Sequence, residues 1–208
     1  MFTWTKLKTD YIDLYQSHYD DKETPVSETM EAFDKLIKEG KVRYIGASNL
    51  SAARILESND FAKENNLSPY VSIQPLYNLF DRYTFQKEYQ QLVEKEGLAV
   101  MNYYALASGF LTGKYRSEDD LQKSQRGGGV KKYLNERGFR ILKAMDKVAE
   151  SHDVSLAQIA LAWLLHKPFI TTPIASATNE KQLKELVSAA DLTLNAADME
   201  ILDKASAL

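Results

Sequence analysis

The amino-acid sequence predicts an α/β fold with parallel strands. Short apolar runs alternate with amphipathic ones along the chain, and polar residues gather at the ends of the apolar runs. The runs read as about five strands, near residues 11–17, 42–47, 70–76, 98–104 and 169–175. His18, Ser48 with Asn49, Gln74, Tyr103 with Tyr104, and Ser176 with Thr178 fall at their C-terminal ends, where parallel α/β architectures place their sites. A doubly wound sheet and a β/α barrel both fit, the usual barrel taking about eight strands and roughly 250 residues.

Each element has its own signal. "YIDLYQSHYDD" opens as a strand that runs into a histidine and two carboxylates. "ETPVSETMEAFDKLIKEGK" places Val26, Met30, Phe33, Leu36 and Ile37 at helical spacing, with Thr24 read as the cap, Pro25 in the first turn and Gly40 as the stop. "VRYIGASN" is a strand, and "SAARILESNDFAKENN" returns to helical spacing. "YVSIQPLYN" reads as strand, "TFQKEYQQLVEKEG" as one helix and "LAVMNYYAL" as strand. From Ala107 to about Arg137 glycine, serine and charge predominate, the composition of a long functional loop rather than a linker. Helical runs "NERGFRILKAMDKVAESHD" and "SLAQIALAWLLHK" lead to the strand "FITTPIASA" and two closing helices. No longer repeat and no linker interrupts this series, so residues 1–208 are expected to form one domain.

Composition narrows the function classes. A content of 44% hydrophobic and 26% charged residues is that of a soluble globular chain. The net charge of -3 gives no basic surface for a phosphate backbone, so a nucleic-acid partner is not expected. The sequence has no cysteine, which excludes disulfides, thiolate metal sites and a cysteine nucleophile. "MFTWTKLKTD" lacks the apolar core of a leader, and no run reaches the ~18 apolar residues of a membrane span. A cytoplasmic protein without a membrane partner is the expectation.

Several residues carry chemistry. His18 shares strand parity with Ile12 and Leu14, so it sits at the mouth of the interior if those two face it; the alternative is a histidine that caps the strand end by hydrogen bonding. Asp20 and Asp21 begin a polar loop and read as solvated. Ser48 and Asn49 offer donors and acceptors suited to a carboxamide, or a turn and a helix cap. Gln74, in an apolar strand, needs a backbone or ligand partner. Tyr103 and Tyr104 point to opposite faces, so one of them is available to stack on a planar ligand. "LASGFLTGKY" has small residues that let backbone N–H groups approach an anion, with Lys114 as a phosphate partner; a solvated loop is the alternative. "QRGGGVKK" has neither a dinucleotide-binding glycine spacing nor a Walker pattern. His152 and His166 lack partners at ligand spacing, so no metal site is expected.

Taken together and in this order, the strand ends resemble the aldo-keto reductase family. "LKTDYIDLYQSH" is similar to that family's fourth barrel strand with its catalytic histidine, "EGKVRYIGASNLS" to the fifth and "SIQPLYNL" to the sixth. "YALASGFLTGKY" resembles the cofactor-covering loop after the seventh strand, and "TTPIASATNEKQLKE" the eighth strand and the segment that holds the nucleotide. The resemblance implies an incomplete (β/α)8 TIM barrel of about five parallel β/α units plus C-terminal helices, and NADPH-dependent reduction of an aldehyde or ketone.

Residue by residue, it implies that His18 orients the substrate carbonyl while Ser48, Asn49 and Gln74 hold the nicotinamide carboxamide. Tyr103 would stack on the nicotinamide. Leu106, Ser108, Gly109, Leu111 and Lys114 would line the pyrophosphate, and Ser176, Thr178 and Gln182 the adenosine end. Asn102, Tyr104, Ala105, Ser176, Thr178 and Leu186 depart from residues common in relatives at those places. The family's first three β/α units, with the aspartate, tyrosine acid and lysine of the tetrad, match no stretch of the sequence. The expectation is therefore an N-terminally truncated reductase that keeps only the histidine. Its alternatives are a catalytically silent nucleotide-binding or interaction protein, which pairs with itself or with a complementing N-terminal chain, and a non-functional remnant.

Overall fold

The computed structural model describes residues 8–123 and 127–208. The opening "MFTWTKL", in which the absence of a leader was read, and residues 124–126 of the glycine-rich stretch lie outside the described residues. In chain order the elements are β1 (Ile12–Ser17), α1 (Val26–Lys38), β2 (Val42–Ser48), α2 (Ala52–Glu64), β3 (Tyr70–Gln74), α3 (Tyr83–Glu88), α4 (Gln90–Glu96), β4 (Ala99–Asn102), α5 (Glu136–His152), α6 (Leu156–Leu165), β5 (Thr172–Pro173), α7 (Glu180–Ser188) and α8 (Ala196–Ser206). Short 3-10 turns occupy Ala107–Thr112, Glu118–Lys123, Gly127–Tyr133 and Ala189–Asp191. The chain groups into two compact units, Met1–Pro75 with Glu88–Val100 and Leu76–Lys87 with Met101–Leu208.

In the first unit β1 pairs with β2, β2 with β3, and β3 with Ala99 and Val100 of β4, every pair parallel. Ile45, Ala47 and Ile73 alternate with polar or small neighbours and are buried with Met30 and Ile55, the half-buried strand pattern that fixes register. Gln16, Gly46 and Ser72 lie side by side across the three strands. A Cβ on Gly46 would collide with Ser72 Oγ and lie 3.1 Å from the Ser72 carbonyl oxygen, so close approach of β3 requires glycine here. Asp34 of α1 is buried and accepts from the N–H (3.0 Å) and hydroxyl (3.1 Å) of Ser68, just before β3.

In the second unit Met101 and Asn102 of β4 pair in parallel with β5. Helix α6 begins with a capping box between Ser155 and Gln158 and is apolar on almost every face, with Ile159, Ala162, Trp163 and Leu164 fully buried. The Trp163 indole N–H donates to Asp203 (3.0 Å), which also receives Lys167 (2.9 Å) and Arg82 (2.9 Å). Arg137 and Arg140 donate to the last carbonyls of α8 and beyond, at Ser206 (2.7 Å) and Ala205 (3.0 Å), groups that the helix itself leaves without partners. Helix α5 starts against the Tyr133 carbonyl, where a side chain on Gly138 would collide.

Four expectations differ in detail. Helix α1 is entered through Pro25 without a side-chain cap, because the Thr24 hydroxyl is spent on Asp21 (2.7 Å). The single helix expected over 84–97 is two, α3 and α4, separated at Tyr89, whose hydroxyl donates to the Leu50 carbonyl (2.9 Å). The long segment after Ala107 is built from 3-10 turns rather than open loop. The fifth strand is confined to Thr172 and Pro173, with the Ile174 N–H still donating to the Asn102 carbonyl (2.9 Å) just beyond them. Among the described residues no helix is long and apolar enough to cross a membrane.

Candidate functional site

In the first unit the ends of β1, β2 and β3 are laced together by polar side chains. The buried Ser48 hydroxyl donates to the Gln74 carbonyl (2.9 Å). Asn49 has a left-handed backbone (φ 54), which asparagine tolerates better than most residues. From that turn its Nδ2 donates to the His18 carbonyl (2.9 Å) and to Ser48 Oγ (3.1 Å). The sequence "SN" thus acts as a turn and as a clamp. Neither the Gln74 amide nor the His18 imidazole hydrogen-bonds to another described residue; His18 is exposed and rests on the ring of Tyr19 (4.4 Å between centroids). Gln74 therefore presents a donor and an acceptor beside a fixed hydroxyl, a set that complements a primary carboxamide.

Asp20 and Asp21 are structural. Asp20 takes Arg54 Nε (3.1 Å), and Asp21 takes Thr24 and the Glu23 N–H, which hold its carboxyl below the usual range.

The second unit carries the remaining candidates. Tyr103 is half-buried and bridges to Leu76; Tyr104 is exposed, with its ring 5.4 Å from that of Tyr103. Tyr104, Ala107 and Ser108 all have positive φ (55, 48 and 57), a concentration of strained backbone of the kind found at ligand sites, and Gly109 follows at φ 92, which glycine adopts freely. Carbonyls of Tyr104 and Leu106 accept the N–H groups of Ala107 (2.8 Å), Gly109 (2.8 Å) and Leu111 (3.2 Å), so these amides brace the loop. Leu111 is fully buried, and any ligand would meet only its backbone. Lys114 lies over Gly109, where a Cβ would come 3.3 Å from Nζ; this brings the positive charge onto the loop. Ser176 and Thr178 are exposed, and Thr178 donates through N–H (2.9 Å) and hydroxyl (3.0 Å) to Gln182 Oε1. Asn179 caps α7, which carries Gln182 and buries none of its residues.

Asn78 was missed by sequence reasoning. It is fully buried, and its side chain reaches the Tyr104 carbonyl (3.0 Å) as well as the amides of Phe80 and Asp81 (both 2.8 Å). The signal was there in "YNLFD", an asparagine opening a turn that closes on an aspartate. Among the described residues no three His, Cys, Asp or Glu side chains converge as metal ligands. His152 instead pairs with Asp198 (2.8 Å), and His166 lies between the Ala162 carbonyl (2.8 Å) and the Leu194 amide (3.2 Å).

Comparison with known proteins places these features. The family model for the "Aldo/keto reductase family" matches residues 4–207. The chain belongs to the aldo/keto reductase family. Curated relatives include a probable voltage-gated potassium channel subunit beta of Oryza sativa (34% identical, 98% of this chain, 63% of that protein) and the L-glyceraldehyde 3-phosphate reductase of Escherichia coli K12 (29% identical, 96% and 59%). The crystal structure of the thermostable aldo-keto reductase Tm1743 with the inhibitor epalrestat aligns at a TM-score of 0.76 and 26% identity, over 98% of this chain and 63% of that one. The chain thus spans about three-fifths of the length of the proteins it matches. Its five parallel strands and intervening helices are α/β, of the aldo-keto reductase TIM-barrel class.

Burial pushes the Tyr70 hydroxyl up to about 12 and raises those of Tyr77 and Tyr133 as well, as befits three tyrosines of the core.

Proposed function

We propose that this chain contributes the cofactor-holding strand ends and the carbonyl-orienting histidine of an NADPH-dependent aldo-keto reductase acting on a small aldehyde or ketone. The observation that carries the reading is the arrangement of Ser48, Asn49 and Gln74, which fixes a buried hydroxyl and leaves the Gln74 amide without a described hydrogen bond at a strand end. Ser48, Asn49 and Gln74 hold the nicotinamide carboxamide, and His18 directs the carbonyl oxygen. In the second unit Tyr103 supplies a ring face for the nicotinamide. The loop of Leu106, Ser108, Gly109 and Leu111, with Lys114 above Gly109, takes the pyrophosphate. Ser176, Thr178 and Gln182 take the adenosine end. NADPH, when bound, supplies the hydride. His18 is the only one of the tetrad residues implied by the resemblance that this sequence matches, so proton transfer is assigned to none of its side chains.

A second reading keeps the same cofactor contacts in a nucleotide binder without turnover. Titration of the 208-residue chain with NADPH, with NADH as comparator and intrinsic fluorescence as the signal, tests both. Saturable binding weakened about tenfold by Gln74→Ala, the scale of one lost hydrogen bond, is the expected result. Aldehyde reduction that disappears in His18→Ala selects the enzyme, binding without reduction selects the silent binder, and absence of binding sinks both.

A further inference from the structure

Two asparagines of the second unit form a reciprocal stitch around Tyr103. Asn102, fully buried at the end of β4, donates from Nδ2 to the Tyr77 carbonyl (2.7 Å). Asn78, fully buried one residue after Tyr77, donates from Nδ2 to the Tyr104 carbonyl (3.0 Å). The Leu76–Tyr103 bridge lies beside both bonds. Tyr103 is therefore the residue between two peptides pinned by buried asparagine side chains.

The pinning extends into the loop. The Tyr104 carbonyl that receives Asn78 also receives the Ala107 N–H (2.8 Å), and Tyr104 itself holds a left-handed φ of 55. A tyrosine does not adopt that conformation without support, because its Cβ crowds the following carbonyl. Asn78 gives that support from a turn of its own, in which Oδ1 accepts from Phe80 and Asp81. Asn102 shows that the stitch is kept at some cost, since its Oδ1 is buried with no partner among the described residues.

We infer that Asn78 and Asn102 are positioning residues: they set the angle of Tyr103 and the strained path of Tyr104 to Gly109, and so the approach of the cofactor. The inference rests on the proposed nucleotide role only for that last clause. Amide hydrogen exchange tests the first part in the 208-residue chain without any ligand. Asn78→Ala is expected to speed exchange at Ala107 and Gly109 about tenfold, the effect of one buried hydrogen bond, as well as at Phe80 and Asp81. Asn102→Leu, near-isosteric and free of the orphan oxygen, is the variant less prone to misfold and is expected to speed exchange at Ala107 without moving Phe80. Acceleration confined to Phe80 and Asp81 in the first variant, or none in the second, overturns the proposal. Where the wild-type chain binds NADPH, both variants are expected to raise its Kd about tenfold. Coupled exchange in a chain that binds no NADPH leaves the stitch standing and removes the nucleotide reading alone.

Discussion

Gly46 illustrates how much a single residue settles. It lies between Gln16 and Ser72, and the buried Gln16 Oε1 and Ser72 Oγ have no hydrogen-bond partner among the described residues. A methyl group at Gly46 must push β3 away, yet two residues further on Ser48 and Gln74 depend on the same register. Gly46→Ala is expected to destabilise the chain by about 1–3 kcal/mol, the usual cost of overpacking. Ser72→Ala, which removes a hydroxyl without a partner, is expected to be near neutral or stabilising and to recover part of that loss in the double variant. Urea unfolding of the three variants gives the coupling; strict additivity would mean that the Ser72 hydroxyl is not what excludes a side chain at Gly46.

At the scale of elements, helix α1 is joined to the approach to β3 through one carboxylate. The Lys38 ammonium (2.6 Å) and then the Ser68 amide and hydroxyl hold the Asp34 carboxyl below its ordinary range. A carboxyl whose pKa is lowered on folding adds stability that is present above its unfolded value, about 3.9, and is lost as pH falls through the folded value. Asp34→Asn is therefore expected to be less stable than wild type at pH 7, with the difference shrinking below pH ~4. Denaturant midpoints at the two pH values check the sign, and a gap that widens in acid would contradict the assignment. Elements were also where sequence reading was sharpest. The strands from β1 to β4 were legible because apolar alternation and Gly40 punctuate them. The fifth was overdrawn because "FITTPI" is apolar enough throughout for a strand, whereas only Thr172 and Pro173 pair with β4. The break at Tyr89 was invisible because helical spacing continues on either side of a residue whose role is a tertiary hydrogen bond.

Across the whole molecule the candidate residues were legible as strand-end polar groups, while the groups that position them were not. His18, Ser48, Asn49 and Gln74 announce themselves by interrupting apolar runs. Asn78 looks like any turn residue until its amide is seen on the Tyr104 carbonyl, a contact 26 residues away in the sequence. Helix α7 is the opposite case: its residues were easily read, but its lack of burial was not. A helix with no fully buried side chain gains less from packing than α6, most of whose residues are buried. Under the proposed function this is the element with Gln182, so the adenosine end of the cofactor would be held by a helix with little buried surface. Residence time then belongs to α7: hydrogen exchange at residues 180–188 is expected to slow on saturation with NADPH. A capping variant such as Asn179→Ala, which loosens the start of that helix, is expected to shorten the lifetime of the complex more than it slows its formation.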